Sequence, residues 1–133
     1  MRLIISTFLI AVQSLLFISL ASAAPVTPSV RTEIDALLSI LEKSACEFNR
    51  NGAWHSAREA KAHLLSKLEY LERKNAVAST EQFIERGATS SSFSGKPYLV
   101  KCTNADPVAS SEWLSTMLKT IRSAQPAASS NSQ

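Results

Sequence analysis

The chain has 133 residues, of which 14 are basic and 11 acidic, and its formal net charge is +3. Arg2 lies in the N-terminal segment 1–23, and the rest of the chain has 13 basic and 11 acidic residues. The two signs are interspersed along the chain. No basic tract is present that could neutralise a row of phosphates, so the composition argues against nucleic acid as a partner.

The chain begins with the parts of a secretory signal peptide. Met1 and Arg2 form a short basic start, an apolar run follows, and the sequence ASA at residues 21–23 is a small-residue cleavage site. We therefore predict a signal peptide over residues 1–23, export to the periplasm of a Gram-negative bacterium, and no stable membrane insertion after cleavage. The alternative is an N-terminal anchor in the inner membrane, because the apolar run approaches the roughly 18 to 20 residues that span a bilayer.

The rest of the chain is short enough for one domain with one hydrophobic core. We predict that this domain occupies residues 24–122. The segment 123–133, which has the sequence SAQPAASSNSQ, contains too little apolar surface to fold, and we expect it to be a disordered tail.

The two cysteines, Cys46 and Cys102, both lie in the exported part of the chain. In an oxidising compartment an even pair predicts a disulfide, and the alternative is two separate buried thiols. A metal site is not expected, because neither cysteine has another Cys or His close enough in sequence to form a chelating pair. We expect no cofactor.

The first half of the chain predicts two helices separated by a short strand and a turn. Apolar residues at helical spacing predict helix one over residues 30–44, and the alternation in CEF predicts a strand over 46–48. Asn51-Gly52 indicates a tight turn with positive φ. Helix two begins at Ser56, which forms a capping box with Glu59.

One border of helix two carries a row of polar side chains. Glu59, His63 and Lys67 recur every four residues, so they lie above one another on the helix, and Tyr70 lies beside His63. This spacing places a carboxylate, an imidazole and an amine on one side of the helix.

The second half predicts two further helices and one more strand. A capping box of Ser79 and Gln82 begins helix three, and Gly87 ends or weakens it. Residues 98–102 favour a strand, and Asp106-Pro107 a cap or turn before helix four. We expect Trp54 and Trp113 to pack in the core or at its edge. The predicted fold is therefore mainly α: about four helices and one two-stranded ribbon, in which the disulfide joins residues 46–48 to 98–102.

Four segments carry a family resemblance: CEFNRNG, SAREAKAHLLSKL, STEQFIERGATSSSFSGKPYLVK and the late EWL. In this order and spacing they resemble the YfeK-like family of small exported bacterial proteins, a domain of unknown function. The resemblance covers most of the chain after the signal peptide, and it implies no activity and no site residues.

The sequence SSSFSGKPY, residues 90–98, allows two interpretations. Consecutive serines before a strand usually form hydrogen bonds within their own turn, with Gly95 setting the backbone. Alternatively, the loop amides and basic side chains form an anion site at one end of the helices. The residues of this hypothetical site are Arg50, His63, Ser92, Ser94, Gly95 and Lys96. The phosphate-loop pattern is incomplete, because it needs a glycine at Ser90 and a Ser or Thr at Pro97.

These patterns favour a non-enzymatic binding or interaction module whose partner is another protein or a small anionic ligand of the envelope. The enzyme alternative is a hydrolase acting on an envelope component, with His63 as base to Ser91, Ser92 or Ser94 and Glu59 orienting it. No nucleophile-elbow pattern accompanies these serines, and Glu59 already serves the helix cap, so we assign no catalytic residue.

Overall fold

The computed structural model describes residues 26–126, so the predicted signal peptide and residues 127–133 lie outside the described part. None of the helices within residues 26–126 is both long and apolar enough to cross a membrane. The helices are α1 (Pro28–Lys43), α2 (Ala57–Arg73), α3 (Thr80–Gly87) and α4 (Ser110–Ala124); the strands are β1 (Glu47–Arg50), β2 (Ala53–Ser56), β3 (Leu99–Lys101) and β4 (Val108–Ala109).

The strands form one antiparallel sheet in the order β2-β1-β3-β4. The predicted pairing of β1 with β3 is confirmed, with Phe48 opposite Val100. The predicted four helices in a single domain are confirmed, but the two-stranded ribbon is not, because β2 and β4 extend that pair into a four-stranded sheet. β2 lies at an exposed edge, so it lacks the apolar alternation that would have revealed it. The domain is therefore mixed α and β.

The predicted disulfide is confirmed: Cys46 is bonded to Cys102. It joins the residue before β1 to the residue after β3, beside the central pair of strands. The turn between β1 and β2 has positive φ at both Asn51 and Gly52, as the sequence predicts.

One hydrophobic core lies among the four helices and the inward side chains of the sheet. Phe48 of β1 packs edge-to-face on Trp113 of α4, which confirms the packing role of that tryptophan. Trp54 is 38% exposed on β2, under the ammonium of Lys101. Fully buried core side chains include Ile34, Leu37, Leu38 and Leu41 of α1, Leu68 of α2, Phe83 of α3, Val100 of β3 and Leu114 of α4.

The helix ends follow the predicted caps with two differences. The capping box of Ser56 and Glu59 is complete, whereas at α3 the side chain of Gln82 accepts from the amide of Ala78 instead of Ser79. α4 has Ala109 as its N-cap, with no side-chain hydrogen bond, because β4 separates Asp106-Pro107 from the helix. α4 also continues through Ser123 and Ala124, the first residues of the predicted tail.

Candidate functional site

Two strands and one helix bring a set of polar side chains together at one end of the sheet. Arg50 is the last residue of β1, and Tyr98 directly precedes β3, the strand paired with β1. α2 carries His63 and Lys67 along the border that the sequence spacing predicts. We call Arg50, His63, Lys67 and Tyr98 the open cluster.

A chain of hydrogen bonds connects the four side chains of the open cluster. Nη1 of Arg50 lies 2.6 Å from Nδ1 of His63, and Nε2 of His63 lies 3.1 Å from the hydroxyl of Tyr98. Nζ of Lys67 donates to the same hydroxyl at 3.3 Å and to the carbonyl of Ser90 at 3.1 Å. Because a guanidinium only donates, Nδ1 accepts, so Nε2 of neutral His63 bears the proton. The Tyr98 hydroxyl therefore accepts two bonds, and its own proton is available to a ligand.

Burial and positive charge shift the pKa values of the open cluster. Burial, reinforced by Arg50 and Lys67, lowers the pKa of His63 to about 4, so the imidazole is neutral near pH 7. Burial and the charge of Arg50 also lower the pKa of Lys67. Burial raises the pKa of Tyr98, which keeps its hydroxyl protonated.

The open cluster contains two cations and no carboxylate partner. Within residues 26–126, neither Arg50 nor Lys67 forms an ion pair, although four other basic residues of the same part of the chain do. Each of the two instead donates to a neutral acceptor. Partial burial without a counter-charge disfavours a cation, so an anion at this place would be electrostatically favourable.

Two hollows adjoin at the open cluster, because Arg50, His63 and Tyr98 line both of them. The first hollow has a volume of about 340 Å³ and the second about 440 Å³. The first is otherwise lined by Phe48, Asn49, His55, Glu59, Ala60, Ala62, Leu64 and Ser110, and the second by Asn51, Ser66, Lys67, Tyr70, Ser91, Ser92 and Phe93.

The serine loop, residues 90–96, forms most of its backbone hydrogen bonds within its own turn. The hydroxyl of Ser91 accepts from the amides of Phe93 and Ser94, and the carbonyl of Ser91 accepts from the amide of Gly95. The amide of Lys96 donates to the hydroxyl of Ser94, and φ of Gly95 is +71°. These amides are engaged within the turn, so the loop geometry is that of a turn rather than a backbone cradle.

The structure brings together only part of the predicted site. Arg50, His63 and Ser92 line the second hollow. Ser94 donates instead to the side chain of Asn51, and Gly95 and Lys96 line neither hollow. Of the loop residues predicted for the site, only Ser92 lines this hollow, together with its neighbours Ser91 and Phe93.

The sequence pattern missed Lys67 and Tyr98 as site residues. Lys67 carried a usable signal, since it lies one turn beyond His63 on the same border of α2. Tyr98 reads in the sequence as a strand residue, and only the pairing of β1 with β3 places its hydroxyl between His63 and Lys67.

The ring nitrogens of His63 are hydrogen-bonded to Arg50 and Tyr98, and no serine of the described part of the chain is bonded to this ring. Glu59 accepts from the amide and hydroxyl of Ser56, as the helix cap requires. Residues 26–126 contain no group of three or more His, Cys, Asp or Glu side chains placed to hold a metal ion.

Comparisons with known proteins identify the family. The family model described as "Family of unknown function (DUF5329)" matches residues 28–122. The uncharacterized protein YfeK of Salmonella typhimurium, strain LT2, is 39% identical over 84 residues, which are 62% of this chain and 68% of that protein. No solved structure matches the chain. The chain therefore belongs to DUF5329, and the resemblance to YfeK is confirmed.

Proposed function

For this member of DUF5329 we propose a non-enzymatic binding function, in which a small anion is held by the open cluster in the second hollow. The proposal is supported by one observation: the open cluster contains two cations, Arg50 and Lys67, and neither has a carboxylate partner in the described part of the chain. A bound phosphate or carboxylate would supply the missing counter-charge.

The neutral groups around these cations suit an anionic ligand. The hydroxyl of Tyr98 has a proton to donate, and exposed Ser92 forms no hydrogen bond within residues 26–126. Charge-assisted hydrogen bonds from such donors are about twice as strong as neutral ones. His63 orients Arg50 without adding charge, because its imidazole is neutral near pH 7.

We further propose that the protein acts in the periplasm after removal of residues 1–23, where small anionic components of the envelope are available as ligands. The small-residue step at 21–23 supports this location. The N-terminus of the mature protein tests it: recovery of an intact N-terminus in the inner-membrane fraction would show an anchored protein instead.

Titration with inorganic phosphate and with acetate, followed by backbone amide NMR, tests the binding proposal. We expect changes in the amide chemical shifts of residues that line the second hollow. Arg50→Ala and Lys67→Ala should each weaken binding about tenfold, since each removes a charge-assisted bond. Added salt will weaken binding to the wild type.

Lys96→Ala is the matched control, because it removes a cation on the serine loop that lines neither hollow. It should leave binding and stability nearly unchanged. Equal loss of binding in Lys96→Ala and Lys67→Ala would favour the loop cradle, and the absence of any shift with either anion would refute the proposed function.

A further inference from the structure

The two hollows share Arg50, His63 and Tyr98 in their linings, and we call the two hollows together the groove. Glu59 lines only the first hollow, and Lys67 lines only the second. His63 lies between them, and Arg50 contacts it from β1. The first hollow therefore has a carboxylate in its lining, the second an ammonium, and both share the guanidinium of Arg50.

Helix geometry gives the length of this arrangement. Glu59, His63 and Lys67 occupy successive turns of α2, at a rise of about 1.5 Å per residue. Glu59 and Lys67 are therefore about 12 Å apart along the helix axis. An extended peptide rises about 3.3 to 3.6 Å per residue, so three residues match this distance.

The carboxylate of Glu59 has one oxygen available to a ligand. Both hydrogen bonds that Glu59 accepts from Ser56 end on Oε2, and Oε1 has no partner within residues 26–126. Those bonds also fix the carboxylate at the start of α2, where it faces the first hollow. An ammonium group at this end would meet a positioned, negatively charged acceptor.

The wall between the charged ends is largely apolar. Phe48, Ala60 and Leu64 line the first hollow, and exposed Tyr70 and Phe93 line the second. Small apolar groups can therefore pack along the groove while polar groups lie at its ends, as is usual for small-molecule sites.

We propose that the ligand is a short zwitterionic peptide of about three residues, bound with its N-terminal ammonium at Glu59 and its C-terminal carboxylate between Arg50 and Lys67. This inference deepens the proposed function and rests on it, since the carboxylate occupies the same anion site. It adds an acidic end that a simple anion would not use.

Isothermal titration with Ala-Ala-Ala, its N-acetyl form and its C-terminal amide tests the inference on the folded protein. We expect Ala-Ala-Ala to bind, N-acetylation to weaken binding at least about fivefold, and amidation to weaken it about tenfold or more. Glu59→Gln retains an acceptor for the helix cap, so it should weaken Ala-Ala-Ala to the level of the acetylated peptide without affecting the acetylated peptide itself.

The titrations with peptides and with phosphate distinguish the peptide inference from the anion-binding proposal. If acetylated and free peptide bind equally, the peptide inference is wrong and the anion site stands. The same conclusion follows if no peptide binds while phosphate still changes the amide chemical shifts of residues lining the second hollow. If neither peptide nor anion binds, both proposals fail. The modified peptides need no altered protein, so the test remains decisive even if Glu59→Gln unfolds; a thermal melt of that variant shows whether its binding data apply.

Discussion

The protein contains two clusters of charged side chains that differ in how their charges are balanced. In the first, Arg122 of α4 forms a bidentate pair with Glu33 of α1 and a further pair with Glu81 of α3. We call these three residues the closed cluster. In the open cluster, by contrast, Arg50 and Lys67 donate only to neutral acceptors.

The difference indicates separate roles. In the closed cluster, Arg122 lowers the pKa values of Glu33 and Glu81, and these carboxylates raise the pKa of Arg122, so the pairs favour the folded state. In the open cluster, burial and, after it, the charge of Arg50 lower the pKa values of His63 and Lys67. The closed cluster connects three helices, whereas the open cluster has two cations without a carboxylate partner in residues 26–126, and on the proposed function an anion would neutralise them.

The largest expected effect concerns the disulfide that supports the strands of the open cluster. Replacing Cys46 and Cys102 by serine releases a cross-link between residues separated by 56 positions. On the chain-entropy model this costs about 4 kcal/mol of unfolding free energy, measurable by urea denaturation. Because β1 and β3 carry Arg50 and position Tyr98, anion binding should weaken with it. A loss below about 1 kcal/mol would contradict the chain-entropy argument, and unchanged anion binding would show that the open cluster does not depend on this cross-link.

The turn that supports Lys67 provides the next test. Gly95 has φ of +71°, with no atom within 4 Å of an added Cβ, so Gly95→Val meets backbone strain without a steric clash. We expect a loss of about 2 kcal/mol in urea denaturation, because a β-branched residue disfavours positive φ. Gly95→Asn is the matched control, since asparagine tolerates this region better. Equal losses in the two variants would show that backbone strain is not the cause.

How far the sequence predicts these regions depends on whether a signal is local. Ser56 and Glu59 are three residues apart, and both bonds of their capping box are present. The positive φ at Gly52 is likewise a property of one turn. The sheet was underestimated because β2 is exposed and β4 has two residues, so neither shows an apolar alternation.

The open cluster is likewise predictable from the sequence only where its residues lie on one element. Periodicity on α2 places His63 and Lys67 one turn apart, and that part of the site is readable in the sequence. The bond of Lys67 to Tyr98 spans 31 positions and depends on how α2 packs on the strands. A helical period gives the face on which a side chain lies but not its partner on another element. The serines of the loop were conspicuous in sequence, yet mainly stabilise a local turn.

The two clusters should also differ when each loses its arginine. Arg122→Ala removes three carboxylate bonds that join three helices, and we expect a loss of roughly 0.5 to 1 kcal/mol, limited by the solvent exposure of the pairs. Arg50→Ala should cost less stability, because it also removes repulsion from Lys67, while it weakens anion binding. Urea denaturation and phosphate titration of both variants test this. A larger stability loss for Arg50→Ala would reverse the assigned roles.

The smallest effect is the pH dependence that His63 gives to the open cluster. Its pKa is about 4 in the folded chain, against an ordinary value of 6.5 expected when the chain unfolds. Between these values the unfolded chain binds more protons, so the contribution of His63 to stability is complete above about pH 6.5 and falls as the pH falls toward 4. Exposed carboxylates with lowered pKa values, such as Glu81, add a similar loss at lower pH.

Comparison with His63→Gln isolates the contribution of this imidazole, because glutamine offers Arg50 an acceptor and does not titrate. We expect the urea midpoint of the wild type to decrease more than that of the variant between pH 6.5 and 4, and the two curves to run parallel above pH 7. The difference should be modest, since the imidazole is only half-buried and solvent screens its neighbours. Parallel curves throughout would mean that His63 titrates alike in both states. Neither burial nor the positive charge of Arg50 and Lys67 would then act on this ring, and the contrast between the open and closed clusters would lose its electrostatic basis.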